Sequence, residues 1–311
     1  MIDRRQLLAI FGGTRVSQSG VNQSLGLPMG SQAPSFRSTV NLVLLDVLVT
    51  DGAGRPVAGL ERSNFRLKVN NQIVTVDRVT TGATDLSLGL VLDYSRSMRN
   101  SQARVVQAVA QLRSRLDAQD EAFVLVFNEV VKTVIPAARI GKATATWSTL
   151  LYPIQPDGQT ALFDAIVQGA ITLRSAAHPR RAVLVLSDGQ DTASRHSRAD
   201  AEKALMESNI LFYAVGLFKP GEMDTDPRTL SSFADRSGGR AIFEPSVDRL
   251  GAEFDGILAE LRARYVLGFL TGDAVNGQGE TRRVQVSASD ANGRSLRIRT
   301  RQSFFIGDSK P

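Results

Sequence analysis

Leu86-Ser-Leu-Gly-Leu-Val-Leu-Asp-Tyr-Ser-Arg-Ser-Met98 is the stretch from which the fold is read. Residues 86–92 are apolar except for Ser87 and Gly89. The run is too short to cross a membrane and suits a strand buried on both faces, as in the middle of a parallel sheet. It turns polar at Asp93, Ser95 and Ser97, one carboxylate and two hydroxyls at alternate positions. Val105, Val106, Val109, Leu112 and Leu116 then recur at three- and four-residue spacing, the stripe of an amphipathic helix. Strand, oxygen-rich loop and helix place hard oxygen donors at the carboxyl end of a central strand, where open α/β sheets bind ligands. Alone, Asp-x-Ser-x-Ser is a weak signal, because Ser and Asp also cap helices.

Working outward, residues 86–262 alternate between strand and helix patterns. Apolar strand candidates fall at 122–127, 130–135, 182–186, 210–215 and, shorter, 241–243. Helical patterns are clearest at 103–116, 161–173, 198–208 and 247–261. Such alternation implies an α/β fold, a doubly wound and mainly parallel sheet covered on both faces. Only Asn128-Glu129 separates the strands at 122–127 and 130–135, a hairpin spacing, so one edge strand is expected to run antiparallel.

The flanks read differently. Before the α/β stretch, strand patterns at 40–50, 57–60, 65–69 and 73–79 are punctuated by turns at Asp51-Gly-Ala-Gly and Asn70-Asn71. After it, strand patterns recur at 265–270, 282–287 and 295–299. Each flank has too few short strands for a closed core. The economical expectation is one small all-β sandwich made of residues 37–82 and 264–311, with an α/β domain at 83–263 inserted. Residues 1–36, rich in Gly, Ser, Gln and Pro, read as signal or linker.

Composition removes several functions. With no cysteine, disulfides, Cys-bound zinc, iron–sulfur clusters and thiol nucleophiles are excluded. Two histidines, His178 and His196, are too few for a His-rich metal site, and both sit in polar segments. The net charge of +6 is spread along the chain, and the 6% aromatic residues do not interleave with basic ones, so a nucleic-acid partner is not expected. No stretch approaches the ~20 apolar residues of a transmembrane span. Near the amino terminus, Arg4-Arg5 precedes the short apolar run Leu7-Leu-Ala-Ile-Phe11 and resembles a twin-arginine export signal. It implies an extracytoplasmic, periplasmic or cell-envelope location; a plain tail on a cytoplasmic protein is the alternative.

Two further pieces change the weight of the first. Asp157-Gly-Gln-Thr-Ala-Leu-Phe-Asp-Ala-Ile166 is a Gly-containing turn with Thr160 at the start of a helix. Ala182-Val-Leu-Val-Leu-Ser-Asp-Gly-Gln-Asp191 is another buried strand ending at a carboxylate, Asp188. Asp93, Ser95, Ser97, Thr160 and Asp188, in this order and setting, resemble the metal-ion-dependent adhesion site of von Willebrand factor A domains. The resemblance covers residues 85–262. The flanks are similar to those of bacterial proteins related to this family, through Val49-Thr-Asp-Gly-Ala-Gly-Arg-Pro-Val57 and Asn64-Phe65. It implies strand order 3-2-1-4-5-6, which makes the strands carrying Asp93 and Asp188 neighbours at the switch point. It also implies a bound divalent cation, touched by Ser95, Ser97 and Thr160, with Asp93 and Asp188 holding its waters. Two carboxylates and three hydroxyls suit Mg²⁺, or Mn²⁺ or Ca²⁺. Neutral direct ligands leave the cation able to accept an Asp or Glu carboxylate from a protein partner. Partner choice would lie in the surrounding loops, such as Tyr94, Arg96, residues 190–197 and residues 218–226.

Other readings of the same residues remain open at this point. Thr160 could cap the helix that follows, Ser187-Asp188-Gly189 could be a tight turn, and Asp191 could cap or support from behind. Among enzymes, a Mg²⁺-dependent phosphotransferase or hydrolase of the haloacid dehalogenase type is the rival, with Asp93 as nucleophile. Such an enzyme needs a carboxylate two residues on, where this chain has Ser95. Neither a Gly-x-Ser-x-Gly elbow nor a phosphate-binding Gly-x-x-x-x-Gly-Lys loop occurs. The expectation is a metal-dependent adhesion-type binding module and not an enzyme.

Overall fold

Leu86–Asp93 (β5) is buried at every position, and its register explains why it tolerates neither a polar face nor a large residue at 89. It lies between two parallel neighbours, Glu121–Phe127 (β6) and Arg180–Ser187 (β8). Gly89 sits opposite Phe123 of β6, and a Cβ there would come within 2.4 Å of the Phe123 ring. The glycine that interrupts the apolar run is therefore a packing requirement. The computed structural model describes residues 41–81, 85–142, 146–217, 226–243, 246–271 and 281–305. The chain separates into two units, Met1–Arg37 and Ser38–Pro311, and all described residues belong to the second.

The central sheet is completed by Val131–Arg139 (β7), Leu211–Gly216 (β9) and Arg240–Phe243 (β10), in the spatial order β10-β9-β8-β5-β6-β7. Counted from β5, this is 3-2-1-4-5-6, and β7 is the antiparallel edge strand. Two apolar layers cover the sheet. On one face, Leu88, Leu90 and Leu92 of β5 meet Gln102–Arg115 (α1), the short Trp147–Leu151 (α2) and Leu250–Arg262 (α6). On the other, Val91 meets Leu162–Arg174 (α3), and Arg198–Glu207 (α4) and Pro227–Ser237 (α5) pack beside it. This is the α/β doubly wound architecture that the alternating pattern implies.

Helix α5 has no counterpart among the helices expected from the sequence. Its punctuation is orthodox: Asp226 accepts a hydrogen bond from the Thr229 amide, Pro227 opens the helix, and Gly238 closes it with φ of 81°. The sequence pattern does not reveal it, because beside Thr229 only Leu230, Phe233 and Ala234 mark its buried face, too short an apolar stripe to stand out.

The flanking segments build two four-stranded antiparallel sheets. One has the order β13-β1-β11-β4, from Arg297–Thr300 (β13), Asn41–Thr50 (β1), Tyr265–Thr271 (β11) and Arg78–Thr80 (β4). The other is β14-β12-β2-β3, from Ser303–Phe305 (β14), Thr281–Ala288 (β12), Phe65–Val69 (β2) and Gln72–Val74 (β3). Leu45, Val47, Leu267 and Phe269 from the first share a core with Leu67, Val69, Val284 and Phe304 from the second. Edge-to-face ring pairs Phe65–Tyr265 (5.4 Å) and Phe269–Phe304 (5.7 Å) bridge the sheets. A small β-sandwich thus forms from residues on both sides of the α/β stretch.

Two strand expectations differ. Residues 57–60 form no strand: the Val57 amide donates to the Val49 carbonyl of β1 (2.9 Å), beside an isolated bridge between Thr50 and Pro56, and the ladder goes no further. The Tyr265 hydroxyl substitutes for a ladder: it donates to the Val57 carbonyl (2.8 Å) and accepts from the Leu60 amide (3.1 Å). Residues 73–79 split, since β3 pairs with β2 in one sheet and β4 with β11 in the other. Asn70 and Asn71 make the β2–β3 turn, with φ of 47° and 69°.

Candidate metal centre

Asp93 is the last residue of β5, Ser187 the last of β8, and Asp188 the next residue on. Because β5 and β8 are hydrogen-bonded neighbours, with Leu92 opposite Leu186, the two carboxylates meet at one sheet edge. The sheet order reverses here: β6 and β7 lie to one side of β5, and β8 to β10 to the other. A crevice at this switch point is what the topology dictates.

Asp93 is 1% exposed, and both its oxygens accept hydrogen bonds: Oδ1 from the Ser95 amide (2.8 Å), Oδ2 from the Ser187 hydroxyl (2.6 Å). Asp188 Oδ2 accepts from the Ser97 hydroxyl (2.8 Å), and Oδ1 from the Gln190 amide (3.2 Å). Ser95 Oγ and Ser97 Oγ lie 3.1 Å apart. Four of the five expected residues, Asp93, Ser95, Ser97 and Asp188, are thus linked through short polar contacts. Thr160, also buried, is tied in through its backbone. Its amide donates to Thr192 Oγ1 (3.0 Å), and its carbonyl accepts from the amides of Thr192 (2.8 Å) and Ala193 (3.0 Å). The turn before it is stitched to the first loop, where the Asp157 amide meets the Tyr94 carbonyl and the Arg96 amide meets the Gly158 carbonyl.

Two glycines make these turns possible. Gly158 has φ of 82° and Gly189 has φ of 87°, in the left-handed region that side chains disfavour. A Cβ on Gly189 would also approach the Asp226 carbonyl oxygen to 2.8 Å.

The capping alternatives find other residues. Ser95 and Ser97 hydroxyls face each other and Asp188, and Ser95 makes no side-chain cap to the short helical turn Arg96–Asn100. Ala161, not Thr160, stands at the N-cap of α3. Asp191 does the capping there, as Oδ1 accepts from the Phe163 amide (3.1 Å) and from the Ser194 hydroxyl (2.6 Å). Ser187 is the residue that sequence reasoning missed. The signal was its place at the end of a strand neighbouring β5, visible only once the two strands are aligned.

The loops around the cluster differ in what they expose. Arg96 and Arg99 are exposed and pair with Asp157 at 3.3 and 2.8 Å. The amides of Arg195 and His196 bond the Asp164 carboxylate, which orders residues 190–197. Tyr94 is a correction: it is buried in the core with Met98 and Trp147, so it presents nothing to a partner. Residues 218–225 lie outside the described residues.

Electrostatics mark this corner as short of positive charge. Burial pushes the Asp93 carboxyl up to about 6, and the nearby charge of Asp188 adds to it, against the hydrogen bonds from Ser187 and Ser95. Among the described residues no three His, Cys, Asp or Glu side chains cluster as a metal site. The donor set here is different in kind, two carboxylates and hydroxyls, all hard oxygens. Such a set, with one carboxyl forced toward its neutral form, fits a hard divalent cation.

Fold and cluster together define a doubly wound α/β domain with a carboxylate–hydroxyl site at its switch point, extended by a β-sandwich. Residues 87–254, over half of the chain, match the sequence model of the von Willebrand factor type A domain, and the chain belongs to that family. No curated protein sequence matches it. It is similar in structure to a von Willebrand factor type A protein from Catenulispora acidiphila, with 13% identity and a TM-score of 0.50 over 90% of this chain and 76% of that one. It is similar too to proximal thread matrix protein 1 from the mussel byssus, with 14% identity and a TM-score of 0.51 over 63% of this chain and 51% of that one. At these identities the likeness concerns the fold alone.

Proposed function

We propose that this chain is a metal-dependent protein-binding module of the adhesion type. Domains of this family are typically protein-interaction modules and generally not enzymes. The observation that carries the finer reading is the linked set Asp93–Ser187, Ser95–Ser97–Asp188 at the ends of two adjacent strands. Ser95, Ser97, Thr160, Asp93 and Asp188 would hold Mg²⁺ (or Mn²⁺ or Ca²⁺), directly or through its waters. When bound, the cation supplies a Lewis-acidic point that accepts a carboxylate. The partner would contribute that Asp or Glu. The haloacid dehalogenase reading gains nothing from the geometry, since Ser95 stands where the general acid is required.

Titration calorimetry with Mg²⁺ and Mn²⁺ should show one site in the full chain and none in Asp93→Ala. Partner capture should vanish with chelator. Undiminished affinity in the variant, or chelator-resistant capture, defeats the proposal. We further propose that residues 37–82 and 264–311 form one domain around the 83–263 domain, as in bacterial relatives of the family. Residues 1–36 would then be an export signal and linker leading to the cell envelope. Cell fractionation tests this: Arg4→Lys/Arg5→Lys should retain the protein in the cytoplasm, and equal distribution of the two forms counts against export.

A further inference from the structure

At the amino-terminal end of β8, opposite the metal cluster, α6 passes into β11 through Arg264. This residue is 0% exposed. Its Nη2 donates to the Tyr213 hydroxyl (3.0 Å) and to the Gly238 carbonyl. Its Nε and Nη1 meet no acceptor among the described residues, and no carboxylate there pairs with it. Arg180, 2% exposed, lies alongside: Nη2 donates to the Arg264 carbonyl (3.0 Å), Nε to Asp46 (3.3 Å), and Nη1 meets no acceptor among the described residues.

The neighbouring carboxylates are already shared. Glu260 takes Arg240 on Oε1 and Arg299 on Oε2, both at 2.9 Å, and accepts the Tyr213 hydroxyl. Asp46 takes Arg180. Arg262 is matched by Asp117 and Asp120. Five arginines, Arg180, Arg240, Arg264, Arg299 and Arg301, thus face two carboxylates, and the least exposed of them, Arg264, pairs with neither.

A guanidinium cannot shed its proton at ordinary pH, so burial cannot neutralise Arg264 as it would a lysine. A buried, uncompensated charge is costly, and so are orphaned N–H donors. Water would satisfy the donors and leave the charge. Burial pushes the Arg180 guanidinium below its ordinary value, with Asp46 opposing and Arg264 and Arg262 repelling it, so the positive excess is felt at both residues.

We propose that a small monovalent anion of the halide class, chloride in ordinary solution, is held against the Arg264 guanidinium within the field of Arg180. It accepts from the donors that lack partners and balances the excess charge. Full enclosure of both side chains selects a monatomic ion over phosphate or an organic acid.

Crystals of the full chain grown with bromide replacing chloride should give an anomalous peak within hydrogen-bonding reach of Arg264. In solution, exchanging gluconate for chloride at constant ionic strength should raise Tm by about 3 °C, and Arg264→Met should abolish that difference. A map with only water, or nothing, beside Arg264 overturns the proposal. So does an unaltered chain whose Tm ignores chloride. If Arg264→Met does not fold, the bromide map of the unaltered chain decides alone.

Discussion

Asp93→Asn separates the fold of the metal corner from its charge. Asn keeps the shape and the Oδ1 acceptor for the Ser95 amide. The Ser187 hydroxyl, which already accepts from the Gly189 amide (3.1 Å), can turn to accept from the new amide group. What disappears is the buried negative charge. The Asp93 carboxyl stands at about 6 in the folded, metal-free protein against an ordinary carboxylate value of 3.8. Two units correspond to about 3 kcal/mol of native-state penalty for the ionised form. The sign follows from the direction. Below the unfolded value the carboxyl is protonated in both states and the penalty is absent. Stability is then lost as pH rises through the window up to about 6, and the loss is complete above it. With chelator at pH 7.5, Asp93→Asn should therefore be more stable than the unaltered protein by about 2 kcal/mol, or about 4–8 °C in Tm, after allowance for an imperfect amide fit. Near pH 4 the two should melt together. Adding Mg²⁺ should raise Tm of the unaltered protein and leave the variant where it was. Differential scanning calorimetry reads all three. A variant that is less stable than the parent at pH 7.5 in chelator would show that the charge is already balanced by the chain, and the electrostatic reasoning would fall.

The remaining expectations concern the scaffold. Gly239→Ala should cost about 3 kcal/mol, read as a lower urea midpoint, because its Cβ would sit 1.9 Å from the Phe212 carbonyl oxygen and the backbone must move; a loss under about 1 kcal/mol refutes that packing. Asp46→Asn should cost about 3 kcal/mol, because it strands the buried Arg180 without its carboxylate; an unchanged midpoint would mean the pair is not formed in solution.

Much of the α/β unit was legible because its elements bury whole faces. β5 is apolar at nearly every position because both of its faces are covered, and α1 and α3 carry stripes that meet that sheet. The hairpin between β6 and β7 was legible from spacing alone. Where the sequence misled, the decisive partner was remote. What residues 57–60 do depends on Tyr265, some 205 positions later, whose hydroxyl takes the Val57 carbonyl and the Leu60 amide. Tyr94 sits between Asp93 and Ser95 and looked like part of the rim, yet alternation along an extended segment sends it to the opposite side, into the core. Ser187 and the arginines at the sandwich junction gave no local signal, because their roles are defined by residues 94 and 134 positions away.

The geometry of the cluster also explains why hydroxyls stand where an enzyme would place acids. The Ser97 hydroxyl that donates to Asp188 turns its lone pairs elsewhere and gains negative character from the carboxylate behind it. Ser95, within 3.1 Å of Ser97, sits beside it in the same chain of contacts. The carboxylates are occupied by the chain, Asp93 by Ser187 and the Ser95 amide, Asp188 by Ser97 and the Gln190 amide. On the proposed reading the carboxylates would act through the hydroxyls, whose neutral oxygens would face the cation. A cation held there, as proposed, would keep most of its appetite for an external carboxylate. Carboxylates placed at 95 and 97 would satisfy that appetite within the chain and leave a partner little to gain. Under the proposed function the arrangement would suit recognition rather than storage of a metal, and it rests on β5 and β8, which align the two halves of the cluster through a continuous parallel register.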